Sequence, residues 1–249
     1  MKSPRITTVL RVAALAACAA LSVAAAPKAT PAKKTLPPAS TNWGANTLVT
    51  PNGSHRVGNP DAPIKLVEYV SYTCPHCARY TKDSEPVLRL TLIPKGQISI
   101  TVTNFLRNPI DLTVAMLTNC GDPRRFFVRH NAFFASQDQW LGKVEGFNAE
   151  QQKRWYQGDM PQRMRAIASD FGFYDKMAAW GITRAQADAC MSNPAMLDKL
   201  KVQQAEVQSL GLAATPSFTL NGEVLDGHDW ASVSKSITDK LAEQRQGNI

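Results

Sequence analysis

Polar and apolar positions along the chain fall into runs whose spacing predicts most of its elements. Ile64-Lys65-Leu66-Val67-Glu68-Tyr69-Val70 is rich in β-branched and aromatic residues and follows the breakers Gly58-Asn59-Pro60-Asp61-Ala62-Pro63, which predicts a buried strand. A few residues on, the pattern becomes helical to about Leu92, with Pro86 expected to bend the helix. Gln97 to Phe105 alternates again, with Ile98, Ile100 and Val102 on one face, and reads as a second strand. Together these make a β-α-β unit, which gives parallel strands and a right-handed crossover. Ahead of it, Thr47 to Val57 reads as an edge strand with a turn at Pro51-Asn52-Gly53.

From Pro109 to Gly211 only helical patterns occur. Asp122 before Pro123 gives an N-cap with proline at the first helical position, and Asn193 before Pro194 repeats it. Asn148 with Gln151, and Thr183 with Gln186, have capping-box spacing. The last of these helices sets Leu197, Leu200, Val207 and Leu210 on one face and stops at Gly211. Strand character resumes at Phe218-Thr219-Leu220, turns at Asn221-Gly222 and returns through Glu223-Val224-Leu225. Asp229 then caps a final helix whose apolar face carries Trp230, Val233, Ile237 and Leu241. The expected fold is α/β, with a helical insertion spanning about 109–211 after the β-α-β unit.

The junction between the first strand and its helix carries the chemistry. Cys74-Pro75-His76-Cys77 puts two thiols one helical turn apart at a helix N-terminus, where unpaired amides and the macrodipole favour a negative sulfur. His76 adds a donor or a positive charge close by. Such a pair can also supply half of a zinc site, but no second close pair accompanies it, so no metal is expected. His55, His130 and His228 have no ligand spacing, and Trp140, Trp155 and Trp180 read as packing residues.

Composition changes the picture mainly at the N-terminus. Hydrophobic residues make up 44% of the 249, enough for one substantial core. Lys2, Arg5 and Arg11 form a basic head, Val12 to Val23 is an apolar run without an acidic residue, and small residues offer a cut after Ala25. Residues 1–25 thus read as a secretory signal peptide, which sends the chain to the periplasm. An alternative is a lipoprotein box at Leu15-Ala16-Ala17-Cys18, with lipid on Cys18. Residues 26–46, rich in Pro, Ala, Lys and Thr, read as an extended spacer ahead of a domain over 47–249. Removing the signal lowers the net charge from +8 to +5, because its three basic residues are unopposed. That excess does not argue for nucleic acid, and Arg124-Arg125-Phe126-Phe127-Val128-Arg129 reads as the exposed face of an amphipathic helix.

With Cys74-Pro75-His76-Cys77 after a strand, Glu68 six residues earlier, a helical insertion, and Thr215-Pro216 just before a hairpin and last helix, the chain resembles the thioredoxin superfamily. Within it, the chain looks like the DsbA-type periplasmic thiol:disulfide oxidoreductases, over roughly residues 47–245. The resemblance implies a thioredoxin fold in which Cys74 attacks, Cys77 resolves, His76 stabilises the thiolate and Pro216 is a cis-proline facing the dithiol. Thr215, Pro216 and Pro75 would border an extended client segment. Glu68 would carry a proton for Cys77, or be only a solvated strand-end carboxylate. It further implies no organic cofactor, cysteine-containing unfolded exported proteins as clients, and a DsbB-like membrane protein as reoxidant.

Two alternatives stay open at this point. Cys120 and Cys190, in an oxidising compartment, would form a structural disulfide of a kind some relatives carry, or remain buried free thiols. Thr215 stands where well-known oxidases of the family have valine, and threonine is frequent in the isomerase and reductase branch. Only 48 residues precede Cys74 after the expected cut, which leaves no room for an isomerase-type dimerisation domain and favours a monomeric oxidase. A thioredoxin-like chaperone with a vestigial dithiol is the non-enzymatic alternative.

Overall fold

A computed structural model describes residues 42–246. The signal-like segment, Cys18 and most of the Pro/Ala-rich stretch lie outside the described residues. Residues 42–46, which composition groups with that stretch, form a 3-10 turn at Trp43–Ala45; Trp43 packs on the core and the Gly44 carbonyl accepts from Arg89 at 3.2 Å.

Among the described residues, six strands make one mixed sheet in the order β1-β2-β4-β3-β5-β6, formed by β1 (Thr47–Val49), β2 (His55–Gly58), β3 (Ile64–Val70), β4 (Ile98–Asn104), β5 (Ser217–Leu220) and β6 (Glu223–Val224). The expected β-α-β unit is present: β3 and β4 are parallel, linked through α1 (Pro75–Val87). Strand β3 is central, with Ile64 and Leu66 fully buried and Glu68 aligned with Val102 on one side and Phe218 on the other. The stretch 47–57 is not a single edge strand. Its turn splits it into a hairpin, so β1 lies at the edge while β2 pairs with β4 inside the sheet.

At the other edge, Asn221 (φ 53°) and Gly222 (φ 93°) adopt the left-handed conformations that a tight hairpin turn requires. Asn221 also anchors the turn, accepting from the Lys65 amide through Oδ1 at 2.8 Å. Pro86 lies inside α1, where it cannot donate to the preceding turn, and the helix continues as a π-helical turn over Leu88–Leu92.

Between β4 and β5 run eight helices: α2 (Pro109–Thr118), α3 (Phe126–Ala135), α4 (Gln137–Leu141), α5 (Ala149–Arg154), α6 (Met160–Asp170), α7 (Phe173–Ala178), α8 (Arg184–Met191) and α9 (Pro194–Ser209). Asn148 with Gln151 and Thr183 with Gln186 form complete capping boxes, as their spacing predicts. The tryptophans behave as packing residues: Trp140 and Trp155 are buried against Phe171, and Trp180 packs on Phe133. After β6 comes α10 (Trp230–Gln246), capped by Asp229, whose carboxylate accepts from the Ser232 amide at 2.8 Å.

The basic run near α3 departs from expectation. Arg124 and Arg125 face solvent, but Phe126 and Phe127 are buried and Arg129 is only 2% exposed. The Arg129 guanidinium turns inward, where the carbonyls of Thr118 and Asp122 accept from it at 2.9 and 3.0 Å and satisfy its buried donors. The run is therefore not one exposed face.

Cys120, just past α2, is bonded to Cys190 of α8 with Cα atoms 5.5 Å apart. The bridge closes a loop across a sequence separation of 70, so it restricts the unfolded chain strongly. Replacing both cysteines with alanine is expected to lower stability by about 2–4 kcal/mol. Denaturant unfolding of the purified variant checks this.

Candidate active site

The site is assembled from three segments that meet above the C-terminal end of β3. The first is the loop Ser71-Tyr72-Thr73 leading into Cys74, the second the connection from β4 to α2, and the third the turn at Thr215-Pro216 ahead of β5. Cys74 is the N-cap residue of α1 in an extended conformation (φ −96°, ψ 117°), with Pro75 opening the helix. Proline is suited there because that position has no carbonyl partner for an amide. Cys74 and Cys77 are both free thiols and both buried, at 2% and 0% exposure.

The two sulfurs are made unlike by their surroundings. Cys74 is pulled down to about 5, first by hydrogen bonding from the Cys77 thiol, against the opposing effect of burial, then by the Thr215 side chain and the amides of Cys77 and His76 at the helix start. Cys77 is pushed well above its ordinary value, chiefly by burial and then by its neighbour Cys74. At neutral pH the pair therefore holds one thiolate, on Cys74. His76 is solvent-exposed, and the contribution the structure gives it is its backbone amide.

The Thr215–Pro216 peptide is cis, and Pro216 is buried beside the dithiol. The Cys74 thiol donates to the Thr215 carbonyl at 3.1 Å, and the Thr215 hydroxyl neighbours both sulfurs. The Pro216 carbonyl accepts from His228 Nδ1 at 2.7 Å, which fixes the proton on that nitrogen, so His228 braces this turn.

Glu68 is 6% exposed, so it is not a solvated strand-end carboxylate. Burial raises it to about 7 despite a hydrogen bond from the Tyr80 hydroxyl at 2.8 Å, and the charge of Glu85 adds to the rise. Beside it lies a small cavity of about 30 Å³, bordered also by Thr81, Glu85, His130 and Asn131.

Several residues that hold the site escaped the sequence reading. Asp111, at the first turn of α2, is fully buried, and its carboxylate accepts from the Thr73 amide at 2.8 Å, the Arg107 amide at 2.9 Å and the Ser71 hydroxyl at 2.9 Å. Asn108 caps α2 and donates to Thr73 Oγ1 at 2.8 Å. Gln137 of α4 donates to the carbonyls of Tyr72 (2.7 Å) and Cys74 (2.9 Å). A lone acidic residue in the run Pro-Ile-Asp-Leu-Thr-Val-Ala-Met-Leu was the available signal, because such a charge is seldom buried without donors. Asp111→Ala strips the partner from two backbone amides and should cost about 3 kcal/mol or more, with Asp111→Asn milder. Thermal or denaturant unfolding of the two variants reads the difference.

A six-stranded mixed sheet, a dithiol at the start of α1 and a cis-proline turn beside it define a thioredoxin-fold protein with a redox-type site. Comparison with known proteins agrees. The family model described as Thioredoxin matches residues 50–239, and the chain belongs to that family. Within it the chain is similar to proteins described as disulfide oxidoreductases and isomerases. It is 27% identical over 195 residues to a Rickettsia bellii chain described as a protein-disulfide oxidoreductase, covering 78% of this chain and 66% of that one. It thus spans slightly under two thirds of that relative's length. A crystal structure of a protein described as a protein-disulfide isomerase, from Novosphingobium aromaticivorans, is 46% identical with TM-score 0.73, covering 76% of this chain and 97% of that one. Wolbachia pipientis alpha-DsbA1 shares the fold at 22% identity and TM-score 0.62, with 81% and 97% covered.

Proposed function

We propose that this chain is a thiol:disulfide oxidoreductase that donates its Cys74–Cys77 disulfide to unfolded, cysteine-containing exported proteins. The observation that carries this reading is the asymmetry of the pair, with Cys74 held as thiolate and Cys77 held as thiol. A stable thiolate on Cys74 stabilises the reduced protein, so the disulfide is readily given up, and it makes Cys74 a good leaving group.

The exchange proceeds in two steps. A client thiolate attacks Cys74 Sγ; the Cys74–Cys77 bond breaks, and the Cys77 sulfur leaves with the electron pair and takes up a proton. Glu68, buried and near neutrality, is the proton carrier of this reading. A second client thiolate then attacks the client sulfur of the mixed disulfide, expelling Cys74 as a thiolate. The client has lost two electrons and the protein has gained them. Thr215, Pro216 and Pro75 border the client segment. A quinone-linked, DsbB-like membrane protein then reoxidises the dithiol.

The reading includes export to the periplasm and a monomeric state. The bonded Cys120–Cys190 pair supports an oxidising compartment. A second reading, rearrangement of wrong client disulfides by the reduced form, is favoured by Thr215 and by the name of the Novosphingobium relative. Mixing oxidised protein with a fully reduced client separates them. Rapid loss of client thiols, with no rescue of a scrambled client by reduced protein, supports the oxidase; the opposite pattern supports the isomerase.

A further inference from the structure

Arg107 lies in the connection from β4 to α2, and its side chain reaches across to the turn before β5. Its Nη1 donates to Thr215 Oγ1 at 3.1 Å. A threonine hydroxyl has one proton and two lone pairs, whereas a guanidinium has donors only. With Arg107 on a lone pair, the hydroxyl proton cannot point back and is directed to another acceptor. Thr215 lies directly against Cys74, whose sulfur is 3.1 Å from its carbonyl oxygen, and its side chain is a neighbour of both cysteine sulfurs, which can accept that proton. The Thr215 carbonyl, by contrast, serves the protonated form, since it accepts from the Cys74 thiol.

Arg107 is also moored to the same carboxylate as the cysteine loop. Its amide and that of Thr73, next to Cys74, both donate to Asp111. The guanidinium, the Thr215 hydroxyl and the Cys74 sulfur are thereby held in one frame although they come from three parts of the chain.

We propose that Arg107 is a positioning residue which, by holding a lone pair of the Thr215 hydroxyl, aims its proton at Cys74 and favours the thiolate there. The cationic donor polarises the O–H bond, so the hydroxyl becomes a stronger donor to the negative sulfur than an isolated threonine. This rests on Cys74 being the reactive thiol, but not on the direction of electron flow. The dithiol of a threonine-bearing site is thus tuned by a residue outside the Cys-x-x-Cys motif.

The test is a double-mutant cycle read by the ultraviolet absorbance of the thiolate against pH. Arg107→Met in the otherwise natural protein is expected to lower the thiolate-to-thiol ratio of Cys74 about threefold at a fixed pH below the midpoint. Arg107→Lys, which keeps a charged donor with poorer geometry, should restore part of it. In a Thr215→Val background, Arg107→Met should move nothing. An equal shift in both backgrounds would show that Arg107 acts through space by charge, and no shift in the Thr215 protein would show that it does not act on Cys74; either overturns the proposal. Arg107→Gln carries the same cycle if Arg107→Met does not fold. Transfer to a client is not read in this titration, so a protein that proves to be an isomerase leaves the outcome intact.

Discussion

Cys74→Ser is expected to abolish thiol–disulfide exchange, with a loss of at least about 10⁴-fold in the rate of client oxidation, because no other thiol among the described residues sits at a helix start beside a stabilising turn. The partner substitution behaves differently. Cys77→Ser leaves Cys74 able to attack but removes the thiol that would resolve the product, so a mixed disulfide with a small aromatic disulfide or a client accumulates. Mass spectrometry of the trapped adduct reads this directly. If Cys74→Ser instead left client handling unchanged, the dithiol would be vestigial and the protein a thioredoxin-like chaperone.

The second large effect concerns Glu68 and stability. Its carboxyl is raised from an ordinary value near 4.5 to about 7, mainly by burial. Because the folded value lies above the unfolded one, the folded state binds this proton more tightly. The contribution favours folding below about pH 4.5 and is lost as pH rises through about 7. Above that, the ionised carboxylate costs the fold on the order of 3 kcal/mol. Glu68→Gln, which keeps an acceptor for Tyr80, should therefore be more stable than the natural protein by about 1–3 kcal/mol at pH 8. The advantage should shrink to nothing as pH falls toward 4.5, where denaturant midpoints of the two proteins converge. A difference independent of pH would mean that Glu68 does not titrate in this window.

The elements that sequence made legible were those written in local patterns. β3 follows its breakers, α8 its capping box, and the Asn221-Gly222 hairpin its two left-handed residues, all of them short-range signals. The dithiol was legible for the same reason, since both sulfurs lie within one turn of α1. The frame around it was not. Asp111, Gln137 and Arg107 touch the site across sequence separations of 38, 63 and 108, and nothing near each residue announces its partner. Arg129 misled for a related reason. A basic residue near an amphipathic helix is normally outside, and only the tertiary placement of the Thr118 and Asp122 carbonyls draws it in.

Thr215 marks the limit of local reading in another way. As a residue type it points toward isomerases and reductases, yet in this fold its hydroxyl and carbonyl both face Cys74, the hydroxyl favouring the thiolate and the carbonyl accepting from the thiol. What matters is the balance of those contacts. The amides of the α1 N-terminus and the Cys77 thiol push in the same direction as the hydroxyl, and together they outweigh the burial of the sulfur.

The central claim is that this balance makes the Cys74–Cys77 disulfide a donor, and equilibrium of the pair against a graded series of reduced and oxidised glutathione tests it most directly. The account predicts a potential more oxidising than about −200 mV, with the reduced form dominant at glutathione ratios that leave structural disulfides intact. A potential as reducing as that of thioredoxin, about −270 mV, would contradict it and make the protein a reductase.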